Sequence, residues 1–107
     1  MSRSNRLRKL AARFLCVMRL IDAHCHLQDP RLDGILPTGT ELSLVNGTRE
    51  DDWPKVAELA EKHPNLLPSF GLHPWWISDR SENWLATLQD WLEKFPSAPV
   101  GEIGLDN

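Results

Sequence analysis

Cysteine is scarce in this chain: Cys16 and Cys25 are the two among 107 residues. Two thiols make no disulfide framework, so a packed core must hold the fold, and a reducing, cytoplasmic setting is expected. No apolar run approaches the ~20 residues of a membrane helix, so no membrane span is expected. No Gly-rich phosphate loop follows the first apolar segment, which weakens a dinucleotide-binding reading. There is no internal repeat. Acid is missing from residues 1–20, where Arg3, Arg6, Arg8, Lys9, Arg13 and Arg19 supply half of the 12 bases. Residues 22–107 hold all 15 acids against six bases, a net charge of −9. So acidic a body does not grip nucleic acid through a diffuse basic surface. If it handles phosphates, metal ions must supply the positive charge locally.

What is present reads as one soluble globular unit, with 41% hydrophobic and 25% charged residues. Leu7, Leu10, Ala11, Phe14, Leu15 and Met18 recur at helical spacing among the N-terminal bases. That pattern fits a basic amphipathic anchor or partner helix. Arg13 interrupts the apolar stretch, which argues against a secretory signal. Met18 stands directly before Arg19-Leu20-Ile21-Asp22, where a first strand should begin. Residues 1–17 are therefore expected to be a basic extension outside the fold, with 18–107 the folded unit and Met18 a natural start.

From residue 19 the pattern alternates. Residues 19–23 read as a short buried strand and 42–46 as a second. Asp51 or Asp52 caps a helix with Pro54 in its first turn, ending at His63 before Pro64. Residues 65–70 form a third strand, with Pro68 awkwardly placed for a central position. Ser81 caps a second helix whose apolar residues Trp84, Leu85, Leu88, Trp91, Leu92 and Phe95 keep the 3.6 period. Residues 100–103 make a fourth strand. The first crossover, about 27–41, shows no clear helix. This is the rhythm of parallel βα units. It allows an open doubly wound sheet or a closed barrel. The barrel is favoured because ligand-type residues sit at strand ends: His24, His26, Asn46, His73 and Glu102. The expected fold class is α/β, the N-terminal half of a (β/α)8 TIM barrel with about four parallel strands. A whole barrel needs ~250 residues. The chain is thus expected to be incomplete, with open strand edges.

His24 and His26 carry the chemistry. On a strand, residues i and i+2 point to one face about 6.6 Å apart, so two imidazoles can converge on one metal ion. Glu102, between Gly101 and Ile103, adds a carboxylate at another strand end. Its two oxygens can bridge two metals ~3.5–4 Å apart, the spacing that clamps both oxygens of a phosphoryl displacement. Asp22 is expected to orient a histidine or the strand rather than to bind metal. Cys25, between the histidines, should point the opposite way and pack. His63, at a helix C-terminus, is expected to have no catalytic role. His73 before Pro74 either shapes a turn or faces the site. Trp84 and Trp91 fall on the buried helix face, whereas Trp75 and Trp76 can line a substrate cleft. Asp106 is open between a site acid and a loop acid.

Three segments carry a family resemblance. Met18-Arg-Leu-Ile-Asp-Ala-His-Cys-His26 resembles the Asp-x-His-x-His opening of TatD-like hydrolases. Gly71-Leu72-His73-Pro74 is similar to their Gly-x-His-Pro segment, and Val100-Gly-Glu-Ile-Gly-Leu-Asp106 to their Gly-Glu-Ile-Gly-Leu-Asp signature. The segments come in family order over residues 18–107. The resemblance implies a metal-dependent hydrolase on a (β/α)8 barrel, with deoxyribonuclease activity described for members. It implies that His24 and His26 bind one divalent metal, that Glu102 bridges two, and that His73 lies on the substrate side. The cofactor is then one or two divalent ions, Zn, Mn or Mg, and the partner a nucleic acid or another phosphodiester. No obligate protein partner is evident. Two further histidines and the catalytic aspartate come from later strands in that family. Asn107 departs from the residues usual there, as at a truncation junction. Phosphodiester hydrolysis by the complete protein is the leading expectation. The alternatives are an amidohydrolase-type reaction on the same metal and an inert fragment, the state expected of the isolated chain.

Overall fold

The computed structural model describes residues 2–8 and 19–106. Residues 3–8 are helical and exposed; most of the amphipathic stretch expected of the N-terminus lies outside the described residues. The folded body runs β1 (Ile21–Cys25), β2 (Leu42–Asn46), α1 (Trp53–Lys62), β3 (Leu66–Ser69) and α2 (Trp84–Lys94). A single 3-10 turn at Pro30–Leu32 and a six-residue 3-10 helix at Pro74–Asp79 interrupt the connections. The three strands are parallel in the order β1-β2-β3, with Ile21 opposite Leu42 and Ser43 opposite Leu66. Among the described residues, no helix is long and apolar enough to cross a membrane.

The helices follow their sequence signals. Pro54 sits in the first turn of α1, where its missing N–H costs nothing. Trp53, Val56 and Ala57 form the buried stripe, and the helix stops at His63, one residue before Pro64. In α2, Leu88 is buried and Trp84, Trp91, Leu92 and Phe95 pack around the same core. Phe70 joins the layers, stacked on Trp91 at 5.6 Å and beside Phe95 at 5.7 Å. Trp53 is fully buried and donates its indole N–H to the Gly71 carbonyl at 2.9 Å.

Four expectations are corrected. The first strand starts at Ile21, and it is an edge: Ile21 is 67% exposed. The crossover after it, as expected, has no α-helix and forms only the 3-10 turn Pro30–Leu32. Asp52 stands at the N-cap of α1, but its carboxylate makes no cap bond and serves the preceding loop instead. The N-cap of α2 is Asn83; Ser81 turns its N–H to the Glu50 carboxylate at 3.0 Å. The fourth strand shrinks to one parallel bridge, Phe70 with Val100. Proline explains this. The Phe70 rung uses Phe70 N–H to Pro99 O and Gly101 N–H to Phe70 O. Parallel registry would form the rung before it from the N–H groups of residues 68 and 99, both prolines without a donor. Beyond it, Glu102 N–H goes to Gly47 O at 2.8 Å and leaves β3.

Candidate metal centre

The C-terminal ends of the strands gather the polar residues. His24 lies in β1 and His26 just past it. Their Nε2 atoms are 3.0 Å apart. Cys25 points away between them, its thiol donating to Leu44 O at 3.3 Å. Burial, with help from the Asp22 charge, pushes that thiol up from its ordinary pKa.

His26 has a defined tautomer. Its Nδ1 lies 2.9 Å from the Asn46 carbonyl, which can only accept. Nδ1 therefore carries the proton and Nε2 a free lone pair. Asn46 O also accepts from Gln28 Nε2 at 2.6 Å.

Glu102 arrives from the chain beyond the Phe70 bridge. Glycine permits the approach: a Cβ on Gly71 would stand 2.6 Å from both Glu102 O and Gly101 C. The Glu102 Oε2 atom lies 3.3 Å from His24 Nε2 and 3.2 Å from His26 Nε2. Its other oxygen is 3.3 Å from His73 Nε2.

His73 is fixed twice. Its backbone N–H donates to Thr48 O at 2.7 Å. Its Nδ1 accepts from Trp75 N–H at 3.1 Å, so Nε2 carries the proton and stands 3.3 Å from Glu102 Oε1. His73 thus turns a proton, not a lone pair, toward the carboxylate.

The remaining three atoms fit a cation. Donor atoms bound at about 2.0–2.1 Å around one ion stand roughly 3.0–3.4 Å from each other. The Glu102 carboxylate is acceptor-only, and His26 Nε2 is a lone pair. Without an ion, His24 can donate to only one of them at a time. A divalent metal satisfies His24, His26 and Glu102 together, and these three are the cluster of metal-binding type.

Sequence-expected residues fall into two groups. His24, His26, His73 and Glu102 converge. Asp22 stays off the centre; its Oδ1 accepts the His24 backbone N–H at 3.1 Å and braces the strand. Asp106 accepts the indole N–H of Trp75 at the rim of the site. His63 ends α1 remote from this cluster.

A cleft of about 550 Å³ opens beside the centre, with Gln28, Thr48, Arg49, Trp75, Trp76 and Glu102 among its walls. The sequence reading singled out the tryptophans but not Gln28, Thr48, Arg49 or the loop role of Asp52. Asp52 accepts Thr48 N–H at 3.0 Å and the Thr48 hydroxyl at 2.6 Å, and receives Gln28 Nε2 at 3.2 Å. The available signal was an acid four residues after a strand-ending Gly-Thr, where free backbone N–H groups need an acceptor.

The sequence matches the family described as TatD related DNase across residues 21–107. It is similar to the uncharacterized metal-dependent hydrolase YjjV of Escherichia coli, 34% identical over 100 residues, covering 84% of this chain and 39% of that protein. It also resembles the Cut9-interacting protein scn1 of Schizosaccharomyces pombe, 41% identical over 59 residues, 52% of this chain and 18% of that one. The crystal structure of YjjV superposes with a TM-score of 0.72 over 86% of this chain and 39% of its own. A TatD family hydrolase of Entamoeba histolytica, 23% identical, shares the fold at 0.70 over 83% and 38%. The chain spans about two fifths of the length of these hydrolases.

Proposed function

The chain belongs to the TatD-related DNase family and has the fold of the N-terminal portion of its TIM barrel, and on that premise we propose that its site serves metal-dependent hydrolysis of phosphodiester bonds in DNA. One observation carries the proposal: His24 Nε2, His26 Nε2 and Glu102 Oε2 lie within 3.3 Å of each other at the strand ends. These residues would hold a divalent ion. Two imidazoles with a carboxylate favour Zn or Mn over Mg. Bound there, the ion supplies a water acidic enough to act as nucleophile and offsets charge on the phosphoryl oxygens.

The chain's own groups do the positioning. The Asn46 carbonyl keeps the proton on His26 Nδ1, so Nε2 stays open to a metal. His73 Nε2 stands 3.3 Å from Glu102 Oε1, while Oε2 faces the histidine pair. Substrate enters by the cleft that Trp75 and Trp76 line. The acidic body fits this reading, because a phosphate can approach it only where a metal or an isolated cation offsets the charge.

Calorimetric titration of the chain with Zn²⁺ and Mn²⁺ tests the centre. His24→Ala, His26→Ala and Glu102→Gln are each expected to weaken binding by at least about 10-fold. Undiminished binding in all three would remove the site. The bond is tested in a whole barrel, with later strands supplied by the E. coli relative, on DNA, bis(4-nitrophenyl) phosphate and cyclic amides. Metal-dependent turnover of the diesters that Glu102→Gln abolishes is expected. Turnover confined to the amides would replace the nuclease reading by an amidohydrolase one.

A further inference from the structure

Of the two cations that line the cleft, Arg31 and Arg49, Arg49 is the one without an acidic partner among the described residues. Its guanidinium lies over the Trp76 ring, 4.1 Å from the centroid, and lines the cleft beside Glu102 and His73. Arg31 and Lys55 are neutralised by neighbouring acids. Arg31 is paired with Asp29 at 2.5 Å, which holds that carboxyl down to about 2, so the pair is neutral at any working pH. Lys55 meets Asp33 and Glu58 within 3.7 Å. Among the described residues, no carboxylate lies within 4.0 Å of the Arg49 guanidinium. The nearby Asp52 carboxylate spends its lone pairs on the backbone N–H groups of Thr48 and Arg49, the Thr48 hydroxyl and Gln28.

The loop that carries Arg49 is tied to the metal centre. Gly47 O accepts the Glu102 N–H at 2.8 Å, and Thr48 O accepts the His73 N–H at 2.7 Å. Arg49 follows directly, so its distance from the ligand-bearing backbone is set. Stacking on Trp76 orders the planar fork before any ligand arrives. Trp75, 69% exposed, presents a second aromatic surface on the same wall. An unpaired guanidinium with an exposed indole is the combination that holds a single-stranded backbone and its bases.

We propose that Arg49, seated on Trp76, binds a phosphate of a single-stranded DNA substrate adjacent to the phosphate under attack. The proposal rests on the phosphodiester reading above and adds a residue that sets affinity and register. The test is fluorescence anisotropy of a labelled hexathymidylate with phosphorothioate linkages, which resist hydrolysis, on the full chain with Mn²⁺ across a salt series. Arg49→Ala is expected to weaken binding at least about 5-fold. It should also reduce the slope of log K against log salt by about 0.7, the share of one phosphate contact on a single strand. Arg49→Lys should restore the slope but not the full affinity, because it keeps the charge without the planar stack. Lys94→Ala, at a cation that also lies over an indole but outside the cleft, should change neither. Wild-type binding with Arg49→Ala unchanged in affinity and slope overturns the proposal and leaves the phosphodiester reading standing. If the hexamer fails to bind but phenyl phosphate binds in an Arg49-dependent way, the anion site stands and the DNA reading falls. Binding of neither probe overturns both.

Discussion

Single atoms decide the chemistry here. His24 and His73 differ in what their neighbours leave open: the Trp75 N–H occupies Nδ1 of His73 and leaves its Nε2 proton 3.3 Å from Glu102 Oε1. The glycine at 71 matters as much as any ligand. Gly71→Ala would put a methyl 2.6 Å from the Glu102 carbonyl. Overpacking of that kind costs about 1–3 kcal/mol. The displaced backbone should also lower metal affinity by about 10-fold or more. A stable Gly71→Ala protein with wild-type metal affinity would show that Glu102 is not held by this contact. Cys25 has the opposite status. Its thiol faces Leu44 O, away from the histidine pair, and burial raises its pKa. Less thiolate is then present at any given pH than for a free cysteine. In a Cys16→Ser background, alkylation by iodoacetamide at pH 8 should be slower than for free cysteine. Cys25→Ser should bind metal as tightly as its parent. A loss of metal affinity there would make Cys25 a ligand.

At the scale of elements, the strands and helices are unequal. α2 buries Leu88 and packs Trp84, Trp91 and Leu92 against the core, with Trp91 stacked on Phe70. Leu88 is 6% exposed and Leu85 is 52% exposed, although both fit the helical period. Leu88→Ala should cost about 2–5 kcal/mol, whereas Leu85→Ala should stay within about 0.5 kcal/mol. Urea midpoints compare the two, and equal losses would mean that α2 packs on a different face. Periodicity identified both helices because an amphipathic stripe is a local property of sequence. It could not separate Leu85 from Leu88, because the width of the buried stripe depends on what the helix meets. The fourth strand was legible as a short segment, 100–103, but not as a pairing. Its missing donors, Pro68 and Pro99, are legible only once register sets them in the same rung.

At the scale of the molecule, an open parallel sheet has two edges. Among the described residues β1 pairs only with β2, and Ile21 is largely exposed. Exposed apolar edges invite pairing with another chain, and a lysine there suppresses it. Sedimentation velocity should show self-association of the chain that Ile21→Lys reduces. A monomer at high concentration, unchanged by the substitution, would mean that the edge is protected. The sequence by itself determined the βα order, both helices and the three family segments, because these are written in local spacing and residue type. It also supplied the histidine pair as candidate ligands, although His26 lies just past β1 and the pairing register shifts between Asp22 and Cys25. Only the tertiary structure decided which oxygen of Glu102 meets that pair. The same holds for the His73 proton turned toward that carboxylate and for Arg49 standing free over Trp76. Those facts depend on residues tens of positions apart coming within hydrogen-bond reach, and no local pattern encodes a distance of that kind.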